Sequence, residues 1–206
     1  MKKVFLILLI ILTLLVFQKS VCAEAPVAST EFYEAYLDVE MVQRARILNV
    51  LGLEIAEYLS SPDNPIDEKA AVINALSWKF EGTNNTEFYM YYLALLYHVP
   101  LIELDTDFLS ADETFCLGYL MVMDNFHHPE GALPILEEAR KKLEDSFTVS
   151  IIFALARSQL LLRLDWCEVW KSVEKVLESK DLKQDMRPEA KKRIIDYMIA
   201  YKEYCK

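Results

Sequence analysis

Glycine is scarce in this chain: Gly52, Gly82, Gly118 and Gly131 are the only four in 206 residues. Hairpin turns draw heavily on glycine, so a turn-rich β protein is excluded. Histidine is scarcer still, limited to His98, His127 and His128. A metal centre needs three or four converging ligands. The adjacent pair His127-His128 reads as a turn, because neighbours in one turn rarely aim at one ion, and no metal is expected. The sequence also lacks H-E-x-x-H, G-x-S-x-G and any glycine-rich phosphate loop, which argues against the commoner enzyme chemistries. No apolar run reaches the ~20 residues that a membrane-spanning helix requires.

The longest apolar run, 4–17, holds 14 residues broken only by Thr13. Lys2 and Lys3 precede it, and Val21-Cys22-Ala23 follows. That order is the pattern of a secretory signal cleaved after Ala23, so residues 1–23 are expected to leave and 24–206 to form one domain. Lys19 and Val21 stand where a lipid-modification motif needs an aliphatic and a small residue, so Cys22 is not read as lipidated. Residues 24–29 are expected to form a loose mature terminus.

Basic side chains are outnumbered. The 22 Lys and Arg fall to 19 when Lys2, Lys3 and Lys19 leave, while all 32 acids remain, so the net charge moves from −10 to −13. Such a surface repels phosphate backbones and anionic lipid and favours basic partners. Nucleic acid and membrane surfaces are therefore not expected as partners. Cys116, Cys167 and Cys205 survive processing, and an exported chain usually meets an oxidising compartment. Cys167 begins one predicted helix and Cys205 ends the next, so antiparallel packing would bring their sulfurs together, leaving Cys116 a buried thiol. Three unpaired cysteines are the alternative.

Apolar residues recur at helical spacing almost throughout. Leu37, Met41, Leu48, Gly52, Ile55 and Leu59 predict one long helix over 31–59, stopped by Ser60-Ser61-Pro62. Asn64-Pro65 opens a second, with Asp67 and Glu68 in the dipole-favoured first turn; Ile66, Ala70, Ile73 and Phe80 line its face and Gly82 ends it. A third covers 86–97, and 101–109 reads equally as short helix or loop. Ser110 and Glu113 form a capping box for a helix to 125. Further helices are predicted over 130–143, with Pro134 fitting its first turn or a kink, and over 147–164. Asp165 caps another to 178, and Pro188 starts the last, to 204. The chain is all-α, with about eight or nine helices. In the third helix Phe88, Tyr89, Tyr91, Tyr92 and Tyr97 spread around the axis, so some must be exposed or line a second interface.

The second half repeats itself. Gly118 to Ala156 is 38 residues and Ala132 to Val169 is 37, each unit a helix, a short turn and a helix. Leu117-Gly118 precedes the first turn, with Ala132, Leu136 and Ala139 after it, and Leu155-Ala156 and Val169, Val173 and Val176 take the corresponding places in the second. This resembles the tetratricopeptide repeat over about 113–177, with units at 113–143 and 147–178. The spacing exceeds that family's ~34 residues, and its terminal proline is missing. The resemblance implies a short solenoid of antiparallel pairs whose first helices line a concave, partner-binding face. Asp112, Phe115, Tyr119, Val122 and Met123 would supply one half of that face. Ser150, Phe153, Arg157, Leu160 and Leu161 would supply the other.

These readings converge on an exported, periplasmic or secreted, noncatalytic scaffold that needs no cofactor and binds a protein or peptide. An acidic inhibitor or immunity protein that blocks a secreted toxin is the main rival. An envelope enzyme built from the acidic stretch Glu103, Asp105, Asp107, Asp112 and Glu113 with His127 or His128 is the weaker one. Cys116 lies mid-helix among apolar residues, as an inert thiol would.

Overall fold

Breaks in the helical pattern are placed by backbone groups that find partners elsewhere in the molecule. The computed structural model describes residues 25–76 and 84–206; residues 1–23, Phe80 and Gly82 lie outside them. Where one helix is predicted over 31–59, the chain instead forms a 3-10 turn at Phe32–Tyr36, helix α2 at Glu40–Leu48 and helix α3 at Leu53–Ser60. Asn49 takes the left-handed conformation at φ 53° and its N–H closes α2 on the Ala45 carbonyl. Beyond the break, the buried Leu51 N–H donates to Asn85 Oδ1 at 2.8 Å. Likewise the Tyr33 N–H donates to Asn74 Oδ1 at 3.1 Å. Apolar spacing cannot register side-chain acceptors more than thirty residues away.

Preceding these, a single turn at Pro26–Ser29 (α1) is not loose, because Val27 is wholly buried and α1 packs on later helices. After them come α4 at Ile66–Leu76 and α5 at Asn85–Leu96. The ambiguous stretch 101–109 resolves into two 3-10 turns, Leu101–Glu103 and Thr106–Phe108. Helix α6 at Ala111–Asp124 starts on the complete Ser110–Glu113 capping box. A 3-10 turn at Pro129–Gly131 precedes α7 at Leu133–Lys142, where Pro134 occupies the first turn and costs no helical hydrogen bond. Helices α8 at Phe147–Leu161, α9 at Trp166–Leu177 and α10 at Pro188–Lys202 complete the chain. The fold is all-helical, ten α-helices packed together among the described residues, and one isolated bridge joins Ser146 to Lys183.

Two central helices organise the packing. Helix α6 is covered by α3, α4, α5 and α7, and every residue from Glu113 to Leu120 is buried. Helix α8 is covered by α1, α7 and α9. Helices α6 and α7 approach closely at Gly118, where an added Cβ would stand 3.0 Å from the Leu136 side chain and 3.1 Å from its backbone nitrogen. Ala132, the residue before α7, and Ala139 within it are also buried.

The two ends of the described chain also meet. Buried Tyr36 donates its hydroxyl to Asp67 Oδ2 at 2.8 Å and accepts the Arg187 N–H at 3.1 Å, while the Arg187 guanidinium lies 4.4 Å from the Tyr36 ring centre. Arg187 also donates to the Ala35 carbonyl at 3.0 Å. In a solenoid each repeat touches only its neighbours, whereas here the last helix packs against the first turns. Among the described residues the packing departs from a simple stack, because α1, α3, α4 and α5 pack over α6 or α8. At its other end α10 is tied to α9 by a Cys167–Cys205 disulfide with Cα atoms 4.8 Å apart. Closing that 38-residue separation restricts the unfolded chain by on the order of 4 kcal/mol.

Gly118→Ala should destabilise the protein by about 1–3 kcal/mol in urea unfolding, because α6 and α7 must part to admit a methyl group. Gly131→Ala, with nothing within 4 Å of the added Cβ, serves as a near-neutral control. Equal losses at both sites would contradict the close-approach account.

A second expectation concerns alkaline pH. Burial, the largest cause in each case, pushes the phenols of Tyr36, Tyr58, Tyr89 and Tyr119 well above their ordinary value, and pushes Tyr97 up to about 12. Raised folded values mean that the unfolded chain releases these protons first. Their contribution to stability is intact below about pH 10 and is lost as pH rises through the folded values. Melting temperature should fall steeply above that point, and the last fraction of tyrosinate absorbance should appear only together with loss of helical circular dichroism. Complete tyrosinate formation with the helices intact would refute this.

Candidate functional site

The sequence-predicted partner face divides in two. Phe115, Tyr119, Val122 and Met123 are wholly buried, so they cannot touch a partner. The N-terminal helices α3, α4 and α5 cover the side of α6 that a two-unit solenoid would leave open. Tyr119 instead accepts a hydrogen bond from Asn74 Nδ2 at 3.4 Å and sits against Phe115, ring centres 6.0 Å apart. Asp112 is occupied by the fully buried Lys69, whose Nζ donates to Asp112 Oδ2 at 2.5 Å. A signal for this lay in the sequence: from Phe115 to Met123 no charged residue interrupts α6, and a helix apolar all round is buried all round.

The other half of the face is partly open, with Ser150 buried, Phe153 half-buried and Arg157 exposed. Ser150, Phe153 and Arg157, one turn apart along α8, line a cleft of about 270 Å³. Helix α9 forms the facing wall with Ser172, Lys175 and Val176, and Ser179 and Leu182 close its far end. Arg140 and Glu144, from α7 and the turn after it, form the remaining side. Leu160 and Leu161 are half-buried and do not line it.

Local chemistry builds this cleft. Ser146 caps α8 by accepting the Val149 N–H at 3.1 Å, and its hydroxyl donates to Asp185 Oδ2 at 2.6 Å. Asp185 Oδ1 also accepts the Thr148 N–H at 2.8 Å, while Phe147 N–H donates to the Lys183 carbonyl at 3.2 Å. The start of α8 is thereby clamped to the segment carrying Leu182. Asp165 caps α9, accepting from Cys167 N–H at 2.8 Å. The hydroxyls of Ser158 and Ser172 lie 2.6 Å apart and pin α8 to α9.

The cleft is cationic although the chain is acidic. Arg140, Arg157 and Lys175 line it against the single acid Glu144. Arg140 is held in place: its Nε and NH2 donate to both Glu137 oxygens at 3.0 and 2.8 Å, and it lies 5.4 Å from the Phe153 ring centre. That pairing draws the Glu137 carboxyl below its usual range. Arg157 and Lys175 are exposed, and no salt bridge to either forms among the described residues. The sequence reading missed Arg140 and Lys175. Lys175 would have been found by extending the 172, 175, 176, 179 spacing of α9 toward α8.

Several of the residues considered for chemistry are engaged in structural contacts. Glu113 is spent on the capping box and on Tyr97, whose hydroxyl donates to Glu113 Oε2 at 2.6 Å. Asp105 caps the 3-10 turn at Thr106–Phe108. Burial pushes the Cys116 thiol well up, against the opposing charge of Lys69, and its Sγ faces the Leu59 carbonyl at 3.8 Å. His127 lies against the Phe126 ring, centres 4.4 Å apart. Among the described residues no three His, Cys, Asp or Glu side chains converge as metal ligands, and no helix is long and apolar enough to cross a membrane.

Asp112→Ala leaves the Lys69 ammonium buried without a partner and should cost about 3–5 kcal/mol in urea unfolding. Adding Lys69→Met to that variant should recover most of the loss. Failure of the double variant to regain stability would show that the pair does not act as a charge-compensating unit.

No family model, characterised protein or solved structure matches this chain, so the cleft is read from its own geometry.

Proposed function

We propose that this protein is an exported, noncatalytic binding protein that holds a peptide segment of a partner in the cleft between α7, α8 and α9. The observation that carries the reading is the juxtaposition of Phe153 and Arg157 in an open, mixed polar and apolar cleft, pinned at one end by Ser158–Ser172 and clamped at the other through Asp185. Aromatic and arginine side chains are the types that most often dominate interface energetics. A groove between antiparallel helices suits an extended or helical segment. The repeat-like character supports this only over α6 to α9, where small residues at Gly118, Ala132, Ala139 and Ala156 let successive helices approach.

Export rests on the basic start, the 14-residue apolar run and the small residue at position 23. The pairing of Cys167 with Cys205 accords with an oxidising compartment.

Random peptides displayed on phage and selected against the exported protein should yield ligands that Phe153→Ala weakens about tenfold or more, the cost of losing a central aromatic contact. Ile199→Ala, at an exposed position of α10, should leave them unchanged. Selected ligands indifferent to Phe153→Ala, with the variant folded by circular dichroism, would remove the cleft from the binding reading.

A further inference from the structure

The global charge of the chain favours basic partners, but the cleft points the other way. Salt at physiological strength screens exposed charges beyond about 8 Å, so a ligand inside the cleft responds to the side chains that line it. Those are Arg140, Arg157 and Lys175 against Glu144. Arg140 is already neutralised by its two-point pairing with Glu137 and serves as a fixed wall over Phe153. The exposed cations left to meet a ligand are Arg157 on α8, which also lies within the field of Glu137, and Lys175 on α9, on facing walls of the cleft. Between them Phe153, Val176 and Leu182 contribute apolar surface.

We infer that the cleft takes an acidic linear peptide, its carboxylate side chains on Arg157 and Lys175 and an intervening apolar side chain against Phe153, Val176 and Leu182. The inference rests on the binding role proposed above and names the chemistry of its ligand. A mixed lining selects a peptide over a small anion. A free phosphate would gain the two cations, which come from opposite walls, but would leave the apolar surface in water. A peptide alternating Glu and Leu satisfies both. Glu144, on the α7 side, disfavours a carboxylate there and so gives the ligand a preferred direction.

Fluorescence anisotropy on the exported, disulfide-bonded protein tests this with three labelled peptides of one length: alternating Glu–Leu, alternating Gln–Leu and alternating Lys–Leu. The Glu–Leu peptide should bind at least tenfold more tightly than the other two, and more weakly as salt is raised. Arg157→Glu combined with Lys175→Glu should weaken it at least tenfold and invert the preference towards Lys–Leu. Arg163→Glu, an exposed control outside the cleft, should change neither. Both charge reversals are at exposed positions, and circular dichroism verifies their fold. Gln–Leu or Lys–Leu binding as tightly as Glu–Leu, still sensitive to Phe153→Ala, would overturn the acidic ligand while keeping the cleft as a peptide site. Displacement of Glu–Leu by inorganic phosphate at equal concentration would overturn the peptide in favour of a small anion. Absence of any Phe153-dependent binding in all three series would overturn both this inference and the reading beneath it.

Discussion

Tyr36 is the residue on which the arrangement of this molecule turns. Its hydroxyl is buried and must both donate and accept, and the partners are Asp67 on α4 and the Arg187 backbone at the start of α10. An unmet buried hydroxyl costs several kcal/mol, so the three segments are specified together or not at all. The Arg187 guanidinium covers the ring and reaches the Ala35 carbonyl and Asp38, which fixes the start of α10. The disulfide to Cys167 fixes its end. With α10 held at both ends, α9 is held against α8.

This fixation gives the cleft firm walls. Two of its walls, α8 and α9, are joined by the Ser158–Ser172 hydroxyl contact, and the start of α8 is clamped through Asp185. A ligand would find Phe153 and Arg140 already in position, so little ordering entropy is spent on binding. The same closure has the opposite effect on α6. By folding the N-terminal helices over it, the chain spends Phe115, Tyr119, Val122 and Met123 on the core, and the face that a repeat stack would present there does not exist.

Much of the helical punctuation was legible. Ser110 with Glu113, Asp165 before Cys167, Asp67 and Glu68 in a first turn and Pro134 near a helix start all act through neighbours within four residues. The aromatic crowding of α5 was legible too: Tyr89 is buried while Phe88 and Tyr91 are exposed, as their angular spread requires. The break between α2 and α3 was not, because Leu37 to Leu59 keeps helical spacing across it. It depends on Asn85, 34 positions beyond Leu51, offering an acceptor. All ten residues of the predicted face lie on helices, Asp112 to Met123 on α6 and Ser150 to Leu161 on α8, but which of them see solvent depended on what the first third of the chain covers.

By itself the sequence determined the all-helical class, most helix starts and the acidic balance, since each follows from spacing, capping or composition within a few residues. Tertiary structure alone decided which helices cover α6, that Lys69 is matched by Asp112, and that Arg140, Arg157 and Lys175 share one cleft in an acidic protein. Those outcomes rest on contacts between segments tens of residues apart, and such contacts are chosen by the burial and pairing demands of the whole fold.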